Sequence, residues 1–193
     1  MRSLLTIIIV FSMAGSVFSQ DTLSLNEHGR LILYEIVTAD KISKEKLYER
    51  SDLFLHHYKK FKVIKEGSTD SSLLARGKFV LTKNSFVLSH PSGEVLFKLS
   101  VEVKEGRYRF WLTDFSYIPY VRDRYGNFVP STAKGAPLEQ RPAGYSEANW
   151  NDNLMGTAKQ ARVLANDLKK ALAEDVQQPA KKAAAVTVST NNW

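Results

Sequence analysis

The 193-residue chain contains no cysteine. That absence excludes disulfides, thiol catalysis and a lipid-anchored cysteine, and it fits a bacterial envelope better than an extracellular disulfide scaffold. Glycine is sparse, and no glycines are grouped as a phosphate-binding loop. No serine occupies a Gly-x-Ser-x-Gly elbow, and no His-Glu-x-x-His is present. Of the 4 histidines, His28 and His90 are isolated. His56 and His57 are neighbours on a predicted helix and point about 100° apart, so one metal cannot readily take both. No catalytic residue, metal ligand or cofactor site emerges. Long apolar runs are also missing, apart from one near the start that is shorter than the roughly 20 residues a bilayer needs.

That run belongs to a secretory signal pattern over residues 1–19. Arg2 supplies the basic end, Leu4 to Phe11 the apolar centre, and Val17-Phe18-Ser19 precede an expected cut before Gln20. The mature chain is then expected in the periplasm, with no transmembrane segment after cleavage. Residues 20–29 read as a linker, 30–117 as a domain, 118–145 as an arm, 146–174 as a helix and 175–193 as a disordered tail. The precursor carries 27 basic and 20 acidic residues. With Arg2 removed, the mature chain keeps a balance of +6. The charge is spread along the chain, and a solvated surface explains it without any partner.

What is present is strand pattern. Val95, Phe97, Leu99, Val101 and Val103 alternate with Lys98, Ser100, Glu102 and Lys104. Glu105-Gly106 suits a two-residue primed turn, because glycine supplies the positive φ. That turn sets Val103 against Tyr108, Val101 against Phe110 and Leu99 against Leu112 on a dry face. On the other, mixed face Glu102 meets Arg109, Ser100 meets Trp111 and Leu96 meets Phe115. The same register puts Asp114 at the end of the dry face, where burial would raise its pKa.

Upstream, residues 30–39 form a strand apolar on both faces, as in a central strand. Asp40 or Ser43 caps a helix to about Lys60, with Leu47, Ser51, Phe54 or Leu55, Tyr58 and Phe61 as its buried stripe. A short strand over 62–66 and a loop over 67–72 follow. Residues 74–82 and 85–90 read as a hairpin across Lys83-Asn84, and Pro91-Ser92-Gly93 as a turn. Beyond Tyr117, Pro119, Pro130, Pro137 and Pro142 break the pattern into a long arm. Ser146 then caps a helix carrying Trp150, Leu154, Ala158, Ala161, Leu168 and Leu172 at helical spacing. The class is α+β, an antiparallel meander with helices.

The order strand, helix, meander, helix, with Leu33-Tyr34-Glu35-Ile36-Val37, Leu47-Tyr48-Glu49-Arg50 and Gly106-Arg107-Tyr108-Arg109-Phe110, resembles a family of secreted bacterial proteins. That family is known as a domain of unknown function with a TATA-binding-protein-like (TBP-like) fold. The resemblance covers about residues 30–117. It implies a β-α-β(4-5)-α domain with both helices on one face of the sheet, and it supplies no activity. The expected function is a non-catalytic envelope binding or interaction module that uses the mixed sheet face. Leu96, Lys98, Arg109, Trp111, Phe115, Tyr117, Tyr120 and Tyr125 are the candidate binding residues. The partner would be an envelope protein, a glycan or a lipid headgroup; oligomeric state is left open. A hydrolase whose acids meet only in three dimensions, and polyanion or nucleic-acid binding, are the alternatives; export argues against nucleic acid. Two fates are open for the mixed face: it stays bare, or the arm folds back and its tyrosines cover it.

Overall fold

The computed structural model describes residues 22–57, 61–85 and 88–174, with the backbone alone at 65, 66, 84, 85 and 88. The signal segment, the tail and Tyr58 lie outside the described residues. In chain order the elements are β1 (Ser24–Leu25), β2 (Leu31–Thr38), α1 (Lys44–His57), β3 (Lys62–Thr69), β4 (Ser72–Ser85), β5 (Leu88–Lys104), β6 (Arg107–Arg122), β7 (Phe128–Pro130), β8 (Ala136–Pro137) and α2 (Glu147–Ala173). The strands form one antiparallel sheet of order β1-β2-β6-β5-β4-β3, and β7 and β8 also pair with β6. Among the described residues no helix is long and apolar enough to cross a membrane.

Alternation decides which side of the sheet is dry. Leu73, Ala75, Phe79 and Leu81 of β4, Val95 to Val103 in alternate positions of β5, and Tyr108, Phe110 and Leu112 of β6 are buried together. Leu47, Phe54 and Leu55 of α1 join this cluster with Trp150, Ala161, Leu164, Leu168 and Leu172 of α2. Both helices therefore lie on one face, as the family resemblance implies. Each fully buried Leu or Phe there contributes about 1.5–3 kcal/mol. Ser146 caps α2 by accepting a hydrogen bond from the Asn149 N–H at 3.2 Å. The Trp150 indole N–H donates to the Leu138 carbonyl at 3.1 Å, so α2 also holds the arm.

The central hairpin keeps the register its turn dictates: Gly106 sits at φ 66, and Val103 pairs Tyr108, Val101 pairs Phe110 and Leu99 pairs Leu112. Beyond Lys98 the register slips. Lys98 pairs Thr113 but Leu96 pairs Ser116, so Phe97 faces the two residues Asp114 and Phe115. This is a β-bulge, and Asp114 takes the positive φ of 56. One extra residue exchanges the faces of everything after it. Phe115 and Tyr117, expected on the mixed face, are in the core at 1% and 3% exposure. Asp114, expected at the dry face, is turned outward.

Three further expectations are corrected. Pro91-Ser92-Gly93 is not a turn; it lies inside β5, where Ser92 is the extra residue of a bulge between the partners of Leu81 and Thr82 of β4. Gly93 is needed there for closeness rather than for φ, because a Cβ would stand 2.6 Å from the Ile118 carbonyl oxygen and from the Tyr117 ring. The β4–β5 connection is also displaced, since Lys83 and Asn84 pair with His90 and Ser89 instead of forming the loop. Finally, β3 runs on to Thr69 through a register shift, leaving a tight turn to β4 at Ser72 in place of a long loop. The described part of α1 runs to His57, the expected helix end near Lys60 lies outside the described residues, and Phe61 packs edge-on to Phe97 at 6.0 Å.

Candidate binding face on the outer side of the sheet

With both helices on the inner face, the outer face is built from the alternate residues of β2, β6, β5 and β4. Pairing of β2 with β6 sets Tyr34 opposite Trp111 and Ile36 opposite Arg109. The Tyr34 and Trp111 rings lie 6.4 Å apart and tilted, and the Arg109 guanidinium stands 5.6 Å over the indole. Such a contact is worth about 0.5–1 kcal/mol at an exposed site. Arg109 also donates to Glu102 at 2.7 Å through Nε. Hydrogen bonding to Glu102 first, and then to Tyr34, raises its pKa and keeps it charged at any accessible pH. Tyr34 and Ile36 stay 45% and 63% exposed, so the aromatic pair opens onto an apolar rim. A shallow pocket of about 190 Å³ lies here, lined by Tyr34, Ile36, Glu102, Lys104, Arg107, Tyr108 and Arg109.

Towards the middle of the face the bulge presents a charge cluster. Asp114 accepts from Arg30 Nη1 at 2.6 Å and meets Lys98 Nζ at 2.7 Å. The Lys98 hydrogen bond holds its carboxyl below the usual range, against an opposing desolvation; the charges of Lys98 and Arg30 add to the lowering. The sequence-based expectation of a raised pKa is thus reversed, because the bulge gives the carboxylate two cations instead of an apolar pocket. Next to it the Thr113 hydroxyl donates to the Leu31 carbonyl, and the Leu31 N–H donates to Glu139 of the arm.

The arm closes the far end. It turns at Asp123–Asn127, returns beside β6 as β7 and β8, and buries Leu138 at 1% exposure. Gly135 lies close over Ser116 and Ile118. Beside Ile118, Glu94 is 5% exposed and its carboxylate accepts from Lys78 Nζ and the Tyr120 hydroxyl, both at 2.8 Å. Desolvation, then the bond to Glu94, pushes Tyr120 up to about 12. The arm tyrosines do not lie over Trp111: Tyr120 is bound to Glu94, Tyr125 is 73% exposed on its turn, and Tyr145 packs edge-on against Tyr117 and Trp150.

Of the eight candidate residues, Arg109 and Trp111 lie together at the pocket end, Leu96 and Lys98 in the middle, and Tyr120 at the arm end. Phe115 and Tyr117 belong to the core, and Tyr125 stands apart. Sequence reasoning missed Tyr34, Ile36, Lys104 and Arg107 as pocket residues. The alternation of Tyr34 and Ile36 was visible, but only the pairing of β2 with β6 brings them to Trp111.

A second groove, about 420 Å³, runs between α1 and β3 and includes Asp52, His56 and Ser68. Its groups are committed to structure: the Ser68 hydroxyl donates to the Ile64 carbonyl at 2.8 Å, and His56 Nδ1 lies 2.9 Å from the Asp52 carbonyl and 3.3 Å from its carboxylate. Among the described residues no cluster of three or more His, Cys, Asp or Glu could hold a metal ion.

No curated protein matches the chain. A DUF4468 family protein from Bacteroides ovatus, solved crystallographically, superposes with a TM-score of 0.55 at 11% identity, covering 83% of this chain and 95% of its own. A TBP-like protein from Parabacteroides distasonis superposes with a TM-score of 0.56 at 14% identity, covering 76% and 95%. At such identities the likeness is one of fold. The family pattern described as "Domain of unknown function (DUF4468) with TBP-like fold" matches residues 34–118, the span from Tyr34 of the pocket to Ile118 of β6. Over residues 34–118 the chain is thus similar to the DUF4468 family, and the TBP-like fold is what it shares with the two solved structures.

Proposed function

We propose that this protein is an exported, non-catalytic binding module of the bacterial cell envelope that holds a partner on the outer face of its sheet. One observation carries the reading: the helices cover only the inner face, and Tyr34, Ile36 and Trp111 stand on the other beside Arg109 and Glu102. An exposed aromatic and aliphatic rim edged by charge is the usual signature of an interaction site. Trp and Arg are also the side chains that most often dominate binding energy. Catalysis is disfavoured because the acids of the outer face are each held by a cation, and the His56 groove has no uncommitted nucleophile.

Native mass spectrometry of protein purified from its own envelope tests the reading. A partner retained by the wild type and lost in Trp111→Ala, with the thermal midpoint little changed, is the expected result. Retention by Trp111→Ala would remove the outer face from the interaction. Export is tested separately by intact mass, which should correspond to a chain beginning at Gln20 or within a residue or two of it. A retained Met1 would refute it.

A further inference from the structure

The outer face continues, without a step, to a strand edge. Backbone bonding along β2 alternates in direction, as it must in an antiparallel pair. The Ala39 N–H donates to the Gly106 carbonyl on the β6 side, whereas the Asn26 N–H takes the Arg30 carbonyl on the β1 side. Counting by twos, Leu33, Glu35 and Val37 bond towards β6, and Tyr34, Ile36 and Thr38 direct their N–H and C=O groups away from it. Yet β1 pairs only with Leu31 and Ile32. Among the described residues, therefore, Tyr34, Ile36 and Thr38 have both their side chains on the outer face and their backbone groups on an open edge.

Edges of this kind are normally blunted. The opposite edge is: β3 carries Lys62, Gly67 at φ 101 and a register shift. By contrast β2 has neither proline, glycine nor lysine, and its single charge, Glu35, is paired with Lys169 at 2.8 Å on the inner face. The pocket beside this edge holds three cations, Lys104, Arg107 and Arg109, against one carboxylate, Glu102, which Arg109 already engages. Lys104 and Arg107 have no carboxylate partner among the described residues.

We propose that the open edge of β2 takes an extended acidic peptide segment of a partner protein as an additional antiparallel strand. The inference rests on the reading that the outer face binds a partner, and names that partner's chemistry. Main-chain bonds to Tyr34, Ile36 and Thr38 supply the docking, and side chains of the added strand alternate across the sheet. At a strand spacing of about 4.8 Å the added strand lies about 10 Å from β6. That separation is within the combined reach of an arginine and a glutamate. Glutamates on its outer side therefore meet Arg107 of β6, Lys104 one strand further on adds to the positive field they enter, and apolar residues between them cover Leu33 and Val37 on the inner side. Charge selects this occupant over a second copy of the chain, which brings the same cationic rim and no complement to it.

The probe is an acetylated, amidated decapeptide of alternating glutamate and valine, titrated calorimetrically into the protein while amide exchange is followed by NMR. Expected at saturation is a slowing of exchange by at least about tenfold at Tyr34, Ile36 and Thr38, the amides that gain a partner. Raising sodium chloride from about 0.05 M to about 0.5 M should weaken binding at least tenfold, because exposed charges are screened. The double variant Lys104→Gln/Arg107→Gln should do the same at low salt. A peptide with alternate backbone amides N-methylated, identical in charge and side chains, should bind at least about tenfold more weakly, having lost its strand-forming donors. Equal binding of the methylated peptide, or binding with unchanged exchange at those amides, overturns the edge inference. If that binding is nevertheless abolished by Trp111→Ala, the face reading survives alone. Slowed exchange without peptide, accompanied by concentration-dependent dimerisation, assigns the edge to a second copy and overturns the acidic-peptide inference. Absence of any binding also overturns it.

Discussion

Asp114 concentrates what single residues do in this fold. Its φ of 56 is a conformation that Asp and Asn tolerate and β-branched residues resist. Asp114→Asn should keep the bulge, whereas Asp114→Val should cost about 1–3 kcal/mol more, the usual scale of such backbone strain; urea unfolding of the pair measures it. The carboxylate adds a pH dependence. Its folded pKa lies below the unfolded one because of the Lys98 hydrogen bond, opposed by desolvation and aided by Lys98 and Arg30. Its contribution is thus complete above the unfolded pKa of about 4 and is lost as pH falls through the lower folded value. The stability gap between wild type and Asp114→Asn should be constant above about pH 5 and shrink below about pH 4. A gap that instead widens on acidification would show that Asp114 is not stabilised as the anion. Phe115, placed in the core by the same bulge, should cost about 3–5 kcal/mol when replaced by Ala, as should Phe110. Trp111→Ala should cost clearly less; equal losses would put Trp111 in the core and end its role as a surface residue.

Among the elements, the β5–β6 hairpin was the most legible part of the sequence. A two-residue turn with Gly106, followed by strict alternation, fixes a register without reference to the rest of the chain. The bulge at Asp114 was not legible. An Asp in a strand carries no sign that its backbone is left-handed, and one unseen residue moved Phe115 and Tyr117 across the sheet. Pro91-Ser92-Gly93 misled in the opposite sense: three turn-forming residues are here a strand that must approach Ile118 closely. Gly93→Ala tests that reading. The obstructing atom is a backbone oxygen within the β5–β6 ladder, so it cannot rotate away, and overpacking should cost about 1–3 kcal/mol in chemical unfolding. A neutral result would mean that the glycine serves only flexibility. The arm was legible as irregular, but its prolines concealed how firmly it is held. Pro137 pairs with Ser116 in β8, and Leu138 is buried beside the Trp150 indole.

At the scale of the whole molecule, the sequence conveyed two helices and a meander but not which strands meet. The β2–β6 pairing joins segments about seventy residues apart in the chain and leaves no local pattern; β2 read as a central strand from its two apolar faces, and it does lie between β1 and β6, though β1 covers only Leu31 and Ile32. The helix pair has a similar long-range tie that composition hides. Arg50 of α1 is 7% exposed, and its Nη1 donates to the Leu172 carbonyl at 2.7 Å and to that of Ala173 at 3.4 Å. These are last-turn carbonyls of α2, which lack intrahelical donors and carry the negative end of the helix dipole. A guanidinium is suited to both: it supplies hydrogen bonds and a positive charge at one place. Arg50→Met keeps most of the aliphatic stem but leaves the Leu172 carbonyl buried without this donor. A loss of about 1.5–3 kcal/mol should follow, the range for hydrogen bonds to charged groups. Amide exchange should rise selectively in the last two turns of α2, while the β5–β6 ladder keeps the protection set by global unfolding. Uniformly faster exchange would mean that Arg50 stabilises the fold as a whole. A stability change within about 0.5 kcal/mol, as at an ordinary surface site, would mean that the two helices are joined by their apolar faces alone.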